Sequence, residues 1–524
     1  MKGYEILEKT LAALKLDPVF GNPGTTEIPM LRGIRNYYLT LHDSIALGMA
    51  DGYAQYNNTA SIVNLHTLPG LGNAMSFVNT AKWNRSPVVI TAGQQDTRHI
   101  VFDPLLSGDL LNTVSGLVKY SYEIKNPSDI PTAFRRAKAI AMTPPMGPVF
   151  ISVPMDMMDY TAENLYFNDV KTNVSSYDPE AVLEIVERIN KAKHPALVFG
   201  YEIDVYNAYA EAEAFADRLG VEVYSEPLAS RGTFNTANEH YAGDLLPAST
   251  LMNLKFVNND LIVFIGGDIT FYPHLPSLPF PGKDVIFIGT DISHKTGDGY
   301  TMNPKLFLSE AVKLIKKKGD YKRSTDYLYA NRVARQRLSM GVDYVLFKAK
   351  KLFSDYTIVD EAISASENVR STFGYGYRKY YTAKSGQLGW ATAAALGIGM
   401  NNKKTLVIIG DGAFMYTVQG LWTAKHYNIP VKFLVLNNSG YNILKSFSKS
   451  YYPDMEKKDY FQLNLDIESV AKGFGVETRT ADENLSDLEW LREGDVPKVL
   501  VVNIYFISKH QGRVFRFVNP FNNF

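Results

Sequence analysis

Residues 406–441, LVIIGDGAFMYTVQGLWTAKHYNIPVKFLVLNNSGY, decide how the chain reads. Residues 406–409 are a short apolar run that stops at Gly410-Asp411-Gly412. Residues 414–427 carry apolar side chains at helical spacing, and 431–436 form a second apolar run that stops at Asn437-Asn438. Two such runs joined by a helix predict a parallel βαβ unit with a right-handed crossover. Its strands are neighbours, so their carboxyl ends lie side by side, where open α/β sheets take ligands. Asp411 and Asn438 therefore come to one sheet edge. A carboxylate, an amide oxygen and a backbone carbonyl suit Mg2+, which completes its shell with water and phosphate oxygens. Gly410 and Gly412 allow close approach of a diphosphate, and the following helix offers its N-terminus to the anion. Alone, Gly-Asp-Gly is a tight turn. The Asn pair at the matching strand end is what argues for a site.

The rest of the composition narrows the class. A chain of 524 residues with 46% hydrophobic content holds about three domains with large cores. Its 54 basic and 54 acidic residues balance and form no long block, which argues against nucleic acid and anionic membranes as partners. With no cysteine there is no disulfide and no thiolate metal site. Residues 1–16 are mixed in charge, unlike a secretory signal, and no apolar run reaches the roughly 18 residues of a membrane span. A soluble, cytoplasmic protein acting on a small molecule is the expectation.

Strand and helix patterns alternate along the whole chain, predicting an α/β protein of three doubly wound parallel-sheet domains. The first, 1–165, has strands at 18–21, 37–42, 62–66, 87–92 and 148–153, with helices at 3–16, 43–56 and 130–142. A turn at 22–27 leads into a helix capped by threonines. A glycine-rich turn at 69–73 leads into a helix ending near Trp83. A polar linker at 161–178 precedes the second domain, 179–320, with strands at 196–199, 261–265 and 285–288 and helices at 179–192, 207–219 and 305–318. A charged connector, 317–337, leads to the third, 342–524.

Gly-Asp-Gly followed by Asn-Asn at this distance resembles the signature of thiamine diphosphate enzymes. FGNPGTTE at 20–27, LHD at 41–43, ADGYAQ at 50–55, NLH at 64–66, GNAM at 72–75 and TAGQQ at 91–95 resemble the N-terminal domain of the benzoylformate decarboxylase family. LWTA at 421–424 and YNIP at 427–430 carry the match into the third domain. The resemblance implies pyrimidine-binding, middle and diphosphate-binding domains. It also implies a cofactor held between the first domain of one subunit and the third of another, hence at least a dimer and commonly a tetramer.

The same resemblance assigns roles. Asp411, Asn438 and the Gly440 carbonyl are the Mg2+ ligands, and Gly410, Gly412, Ala413, Tyr416 and Tyr441 surround the diphosphate. The Gly386 carbonyl takes the 4′-amino group of the cofactor, and Leu388 props its bent shape. The carboxylate at the pyrimidine N1′ is a glutamate in the family and Asp43 here, one methylene shorter. The plain structural reading of Asp43 is a helix N-cap. His66 and His274 are the acid–base pair, and Thr25 binds the substrate carboxylate; as structural residues His66 is a satisfied imidazole and Thr25 a cap. Ile443, Leu444 and Phe447 match substrate-pocket positions, with plain core as the alternative. Ile443 replaces a small family residue, which favours a short or branched aliphatic 2-oxo acid. The absence of a His-His pair sets the chain apart from the pyruvate decarboxylase branch. The aromatic, basic tail at 508–524 closes over the site or packs at an interface.

The implied activity is non-oxidative decarboxylation of a 2-oxo acid to an aldehyde and CO2. Two rivals stand beside it. One is an acetolactate synthase-like carboligase, which a flavin site in the middle domain would signal. The other is a poorly active cofactor-binding homologue, which Asp43 keeps in play. Gly266-Gly267 alone is too weak to mark a second nucleotide site.

Overall fold

The structure is a computed structural model, and it describes residues 1–173, 176–272, 277–292, 296–323 and 340–504. His274, most of the 317–337 connector and the 508–524 tail lie outside these residues.

Three six-stranded, wholly parallel sheets follow one another along the chain. The first contains β1 (Val19–Gly21), β2 (Tyr37–Leu39), β3 (Ser61–Leu65), β4 (Val88–Gln94), β5 (Ser121–Glu123) and β6 (Val149–Pro154), in the order β2-β1-β3-β4-β6-β5. The second contains β7 (Pro195–Phe199), β8 (Val223–Ser225), β9 (Tyr241–Asp244), β10 (Leu261–Ile265), β11 (Asp284–Gly289) and β12 (Asp298–Thr301), in the order β12-β11-β10-β7-β8-β9. The third contains β13 (Thr357–Glu361), β14 (Tyr380–Thr382), β15 (Thr405–Gly410), β16 (Lys432–Asn437), β17 (Glu477–Thr480) and β18 (Lys498–Asn503), in the order β14-β13-β15-β16-β18-β17. The first and third sheets thus share one topology. The middle sheet has the other doubly wound order, with its switch point between β7 and β10. Central strands such as Leu261–Ile265 are apolar throughout because helices cover both faces of the sheet.

β15 and β16 are parallel neighbours, paired from Leu406↔Lys432 to Gly410↔Leu436, as the opening stretch predicts. The connection between them differs from expectation. It is two short helices, Asp411–Tyr416 and Gly420–His426. Thr417 leaves the helical conformation, and its hydroxyl donates to the Gly389 carbonyl at 2.6 Å, which breaks the run. The glycine-rich stretch 69–73 is also helical, inside Thr67–Trp83. Gly70 serves close approach there, because a Cβ on it would lie 2.5 Å from Asp43 Oδ1.

The first and third units are fused through a helix pair. Asp43–Asn57 packs against Trp390–Gly399, which is buried along its whole length. Small residues set the spacing. A Cβ at Gly52 would lie 2.2 Å from the Ala394 carbonyl oxygen, and one at Gly397 would lie 2.0 Å from that of Met49. One continuous apolar core therefore takes in Ile45, Leu47 and Phe77 together with Trp390, Leu396 and Val407. The middle sheet keeps separate cores on its two faces. Among the described residues no helix is long and apolar enough to cross a membrane.

Candidate active site

At the carboxyl edge of the first sheet, a short turn of 3-10 helix (Thr25–Glu27) follows β1. Its cap is Gly24, whose amide donates to Glu27 Oε2 at 2.8 Å, and not a threonine. Thr25 is left exposed on the turn's first position. Glu27 is fully buried and collects four donors. Besides Gly24, His66 Nδ1 lies 2.7 Å from Oε2, and the amides of Thr67 (3.2 Å) and Gly93 (3.0 Å) donate to Oε1. With Nδ1 facing a carboxylate, the neutral His66 ring carries its proton there, and Nε2 is left for a ligand. A Cβ at Gly24 would lie 2.1 Å from His66 Cε1, so glycine is required for the ring to sit where it does. Glu27 was visible in the sequence only as part of a helix start. Nothing local ties it to a histidine 39 residues on.

Asp43 is not the helix N-cap. His42 caps Asp43–Asn57, with the Ser44 amide donating to His42 Nδ1 at 3.3 Å. The Asp43 carboxylate, 2% exposed, instead turns across the sheet edge. Its Oδ2 accepts from the side-chain amides of Asn22 and Asn73, both at 3.3 Å, and the His66 amide approaches Oδ1 at 3.5 Å. Asp43 and His66 thus share one edge.

At the edge of the third sheet, Asp411 follows β15 and is 2% exposed. Its Oδ2 accepts from the Gly440 amide at 2.9 Å. Burial raises its pKa above the usual carboxylate value, and the Gly412 and Gly440 amides pull the other way. Asn438 follows β16, and its side-chain Oδ1 is buried without a hydrogen-bond partner. A buried amide oxygen left unpaired is costly, and a cation satisfies it. Asp411, Asn438 and Gly440 are together, and the donor set fits Mg2+. A Cβ at Gly410 would meet nothing within 4 Å, whereas one at Gly412 would lie 2.5 Å from the Tyr441 ring. Ala413 is buried and Tyr416 exposed. Ile443, Leu444 and Phe447 lie on the helix Asn442–Tyr451, none of them fully buried, so plain core does not describe them.

Gly386 and Leu388 lie on a loop between β14 and Trp390–Gly399. Gly386 has φ +75°, and a Cβ there would meet nothing within 4 Å. Leu388 packs against the shared core. The loop's end is held by Glu361, which accepts from the Ala391 amide at 2.6 Å and from the Gly389 amide. Burial pushes Glu361 up to about 8.

The switch-point crevice of the middle sheet is filled. Glu202 accepts from the Thr290 amide at 3.1 and 2.9 Å on its two oxygens, and also from the Thr290 hydroxyl. Glu226 accepts from the amides of Tyr201 (3.1 Å) and Asp268 (2.8 Å). A Cβ at Gly289 would lie 2.7 Å from Glu202 Oε2, one at Gly267 2.7 Å from Glu226 Oε2, and one at Gly200 2.1 Å from Gly267 Cα. Among the described residues, carboxylates and backbone therefore crowd the glycines at the ends of β7, β10 and β11.

Comparison with known proteins agrees with the three-domain fold. Residues 1–112 match the N-terminal TPP binding domain of thiamine pyrophosphate enzymes, 182–315 the central domain, and 370–502 the C-terminal TPP binding domain. A benzoylformate decarboxylase from Pseudomonas aeruginosa is 29% identical over 500 residues, covering 90% of this chain and 92% of that one. The acetolactate synthase large subunit of Lactococcus lactis is 24% identical over 508 residues, covering 90% and 87%. The crystal structure of benzoylformate decarboxylase from Polynucleobacter necessarius superposes with a TM-score of 0.89 at 31% identity, covering 96% of this chain and 98% of that one. With the N-terminal, central and C-terminal domains of that family in order along it, the chain belongs to the thiamine pyrophosphate enzymes.

Proposed function

We propose that the chain is a thiamine diphosphate- and Mg2+-dependent 2-oxo acid decarboxylase, releasing CO2 and an aldehyde. The observation that carries this reading is the Glu27–His66 pair at the same sheet edge as Asp43. Decarboxylation to an aldehyde needs a proton delivered to carbon and one removed from oxygen, and a positioned imidazole is suited to both. Bound thiamine diphosphate supplies the electron sink for the departing CO2.

The chain's own groups then divide the work. Asp411, Asn438 and the Gly440 carbonyl hold Mg2+, with Gly410, Gly412, Ala413, Tyr416 and Tyr441 around the diphosphate. Gly386 offers its carbonyl to the aminopyrimidine, Leu388 supports the ring, and Asp43 serves N1′. Asn22 and Asn73 fix the Asp43 carboxylate so that the shorter side chain keeps one orientation. Glu27 orients His66, which moves protons through Nε2 together with His274. Thr25, exposed on its turn, binds the substrate carboxylate. Ile443, Leu444 and Phe447 enclose the substrate's side chain, with Ile443 favouring short or branched aliphatic 2-oxo acids. The three domains span 1–165, 179–320 and 342–524. The assembly is at least a dimer, a tetramer being common in the family, and it works in the cytoplasm.

The carboligase reading has the acetolactate synthase relatives behind it. A flavin-dependent version would have to share the middle-sheet edge with Glu202 and Glu226, which lie against Gly289 and Gly267. The test is a panel of 2-oxo acids with purified protein, thiamine diphosphate and Mg2+, following CO2, aldehyde and acetolactate. Aldehyde and CO2 in equal amounts support the decarboxylase. Acetolactate from pyruvate as the main product would replace it with the carboligase.

A further inference from the structure

The middle sheet has a ligand-binding topology and a crevice filled by its own carboxylates. Among the described residues, side chains from both other domains reach that edge, Arg85 from the first at Asp291 and Lys384 from the third at Glu226. Lys384, at the start of the 384–389 loop, places Nζ 3.6 Å from Glu226 Oε2. Both side chains are nearly sealed from solvent, at 8% and 0% exposure. The same Nζ lies 5.8 Å from the centre of the Tyr201 ring, on the turn after β7. Asp268 lies near Glu226, and Glu202 and Asp291 lie near Tyr201. Asp291 is matched by Arg85, with Tyr201 Oη donating to the same Asp291 oxygen at 3.3 Å. Among the described residues, Lys384 is therefore the cation that faces Glu226.

The loop that Lys384 begins is the one assigned above to the aminopyrimidine. It is pinned on its other sides. The Lys384 amide donates to Asn84 Oδ1 at 3.0 Å, and Ser385 Oγ lies 2.8 Å from Thr80 Oγ1, both partners in the first domain. Glu361 holds Gly389 and Ala391 from within the third domain, and the Trp390 indole donates to Asp51 Oδ2 at 2.6 Å. Gly386, between these anchors, has φ +75°, so the loop's shape depends on them.

We propose that Lys384 is the internal ligand of the middle-sheet crevice and acts as a positioning residue, tying the cofactor loop to the middle domain through Glu226. The inference rests on the cofactor reading above. It gives the middle domain a role without a nucleotide: the crevice that takes a phosphate elsewhere takes an ammonium here. A buried ion pair of this kind specifies one arrangement of the parts it joins. Its loss frees Gly386 and Leu388 to sample other positions, so preorganisation for the cofactor is lost.

The test is thiamine diphosphate affinity by calorimetry in saturating Mg2+, with thermal melting as the control for folding. Wild type is compared with Lys384→Met, Glu226→Gln and the double variant. Lys384→Met leaves a buried carboxylate without its cation and is the variant most exposed to misfolding. The double variant carries no unpaired charge and keeps the shape. Expected is a dissociation constant about tenfold higher in the double variant, with each single variant similar to it rather than additive. A double variant that melts lower but binds within twofold of wild type would reduce the pair to a structural role and overturn the inference alone. Wild type that binds no thiamine diphosphate would overturn the cofactor reading and this inference together.

Discussion

The middle and third sheets are both six-stranded and parallel, and both bring glycines and carboxylates to their carboxyl edges. They use them in opposite ways. In the third sheet Gly410 opens onto empty space, and the Asn438 amide oxygen is buried without a partner. In the middle sheet Gly267 and Gly289 are pressed against Glu226 and Glu202, whose oxygens are already bonded to backbone amides. Topology grants a crevice, and the local side chains decide whether it is a site. An unmet acceptor invites a cation, and a met one closes the door.

Five substitutions, at four positions, break or sharpen that contrast. The largest effect is expected from Asp411→Ala, which removes the carboxylate at the end of β15. Mg2+-dependent binding of thiamine diphosphate should fall below detection by calorimetry, and unchanged affinity would refute the ligand assignment. Asp43→Asn tests the edge that faces it. The fold should survive while C2 hydrogen exchange of bound cofactor, read by quenched NMR, drops about a hundredfold, the scale of a 1 Å misplacement in an active site. Asp43→Glu separates two explanations. A lower rate means that Asn22 and Asn73 have shaped the site for the shorter acid, and a higher rate means that Asp43 is simply a short reach. Exchange in Asp43→Asn equal to wild type would remove Asp43 from the mechanism.

Glu202→Gln probes the closed edge through pH. Burial, with Asp291 and Glu226 nearby, pushes the Glu202 carboxyl from an ordinary value of 4.5 up to about 7, against the pull of its bonds to Thr290. A carboxyl raised in the fold binds more protons folded than unfolded, so its contribution to stability is complete below about pH 4.5 and lost as pH rises to about 7. Such a displacement is worth on the order of 3 kcal/mol. Wild type should therefore lose more thermal stability between pH 5 and pH 8 than Glu202→Gln, and parallel melting curves would mean that Glu202 is ionised in the fold. The smallest effect is expected at the open edge's rim. Ile443→Ala should raise kcat/KM for aryl over aliphatic 2-oxo acids by about tenfold, the value of a methylene or two in a pocket. An unchanged preference would place Ile443 outside the substrate's reach.

Much of the architecture was legible because buried central strands must be apolar. β3, β10, β15 and β16 stand out for that reason alone. Apart from β2, the edge strands did not announce themselves. Asp298–Thr301 and Glu477–Thr480 are short, polar and half exposed, so no apolar run marks them. The juxtaposition of Asp411 and Asn438 was readable because both sit at strand ends within one βαβ unit. The other edge was half readable. His66 and Asp43 come from recognisable motifs, but Glu27, which fixes the imidazole, looks like any acid in a first helical turn. Its pairing exists only once β1, β3 and β4 are side by side. The helix break at Thr417 escaped for a similar reason, since its cause is the carbonyl of Gly389, 28 residues earlier.

The glycine-spaced helix pair has a consequence for how the chain is made. Asp43–Asn57 is among the first helices to leave the ribosome, and its partner Trp390–Gly399 is more than three hundred residues behind. At about 5–20 residues per second, roughly 20 to 70 s of synthesis separate the two. Throughout that interval the face carrying Gly48, Met49 and Gly52 has no native cover. The first sheet can form early, but its core closes only when the third unit arrives, more than three hundred residues later. A nascent chain of this kind is at greatest risk of aggregation midway through translation, and the burden on chaperones falls on the stretch it made first.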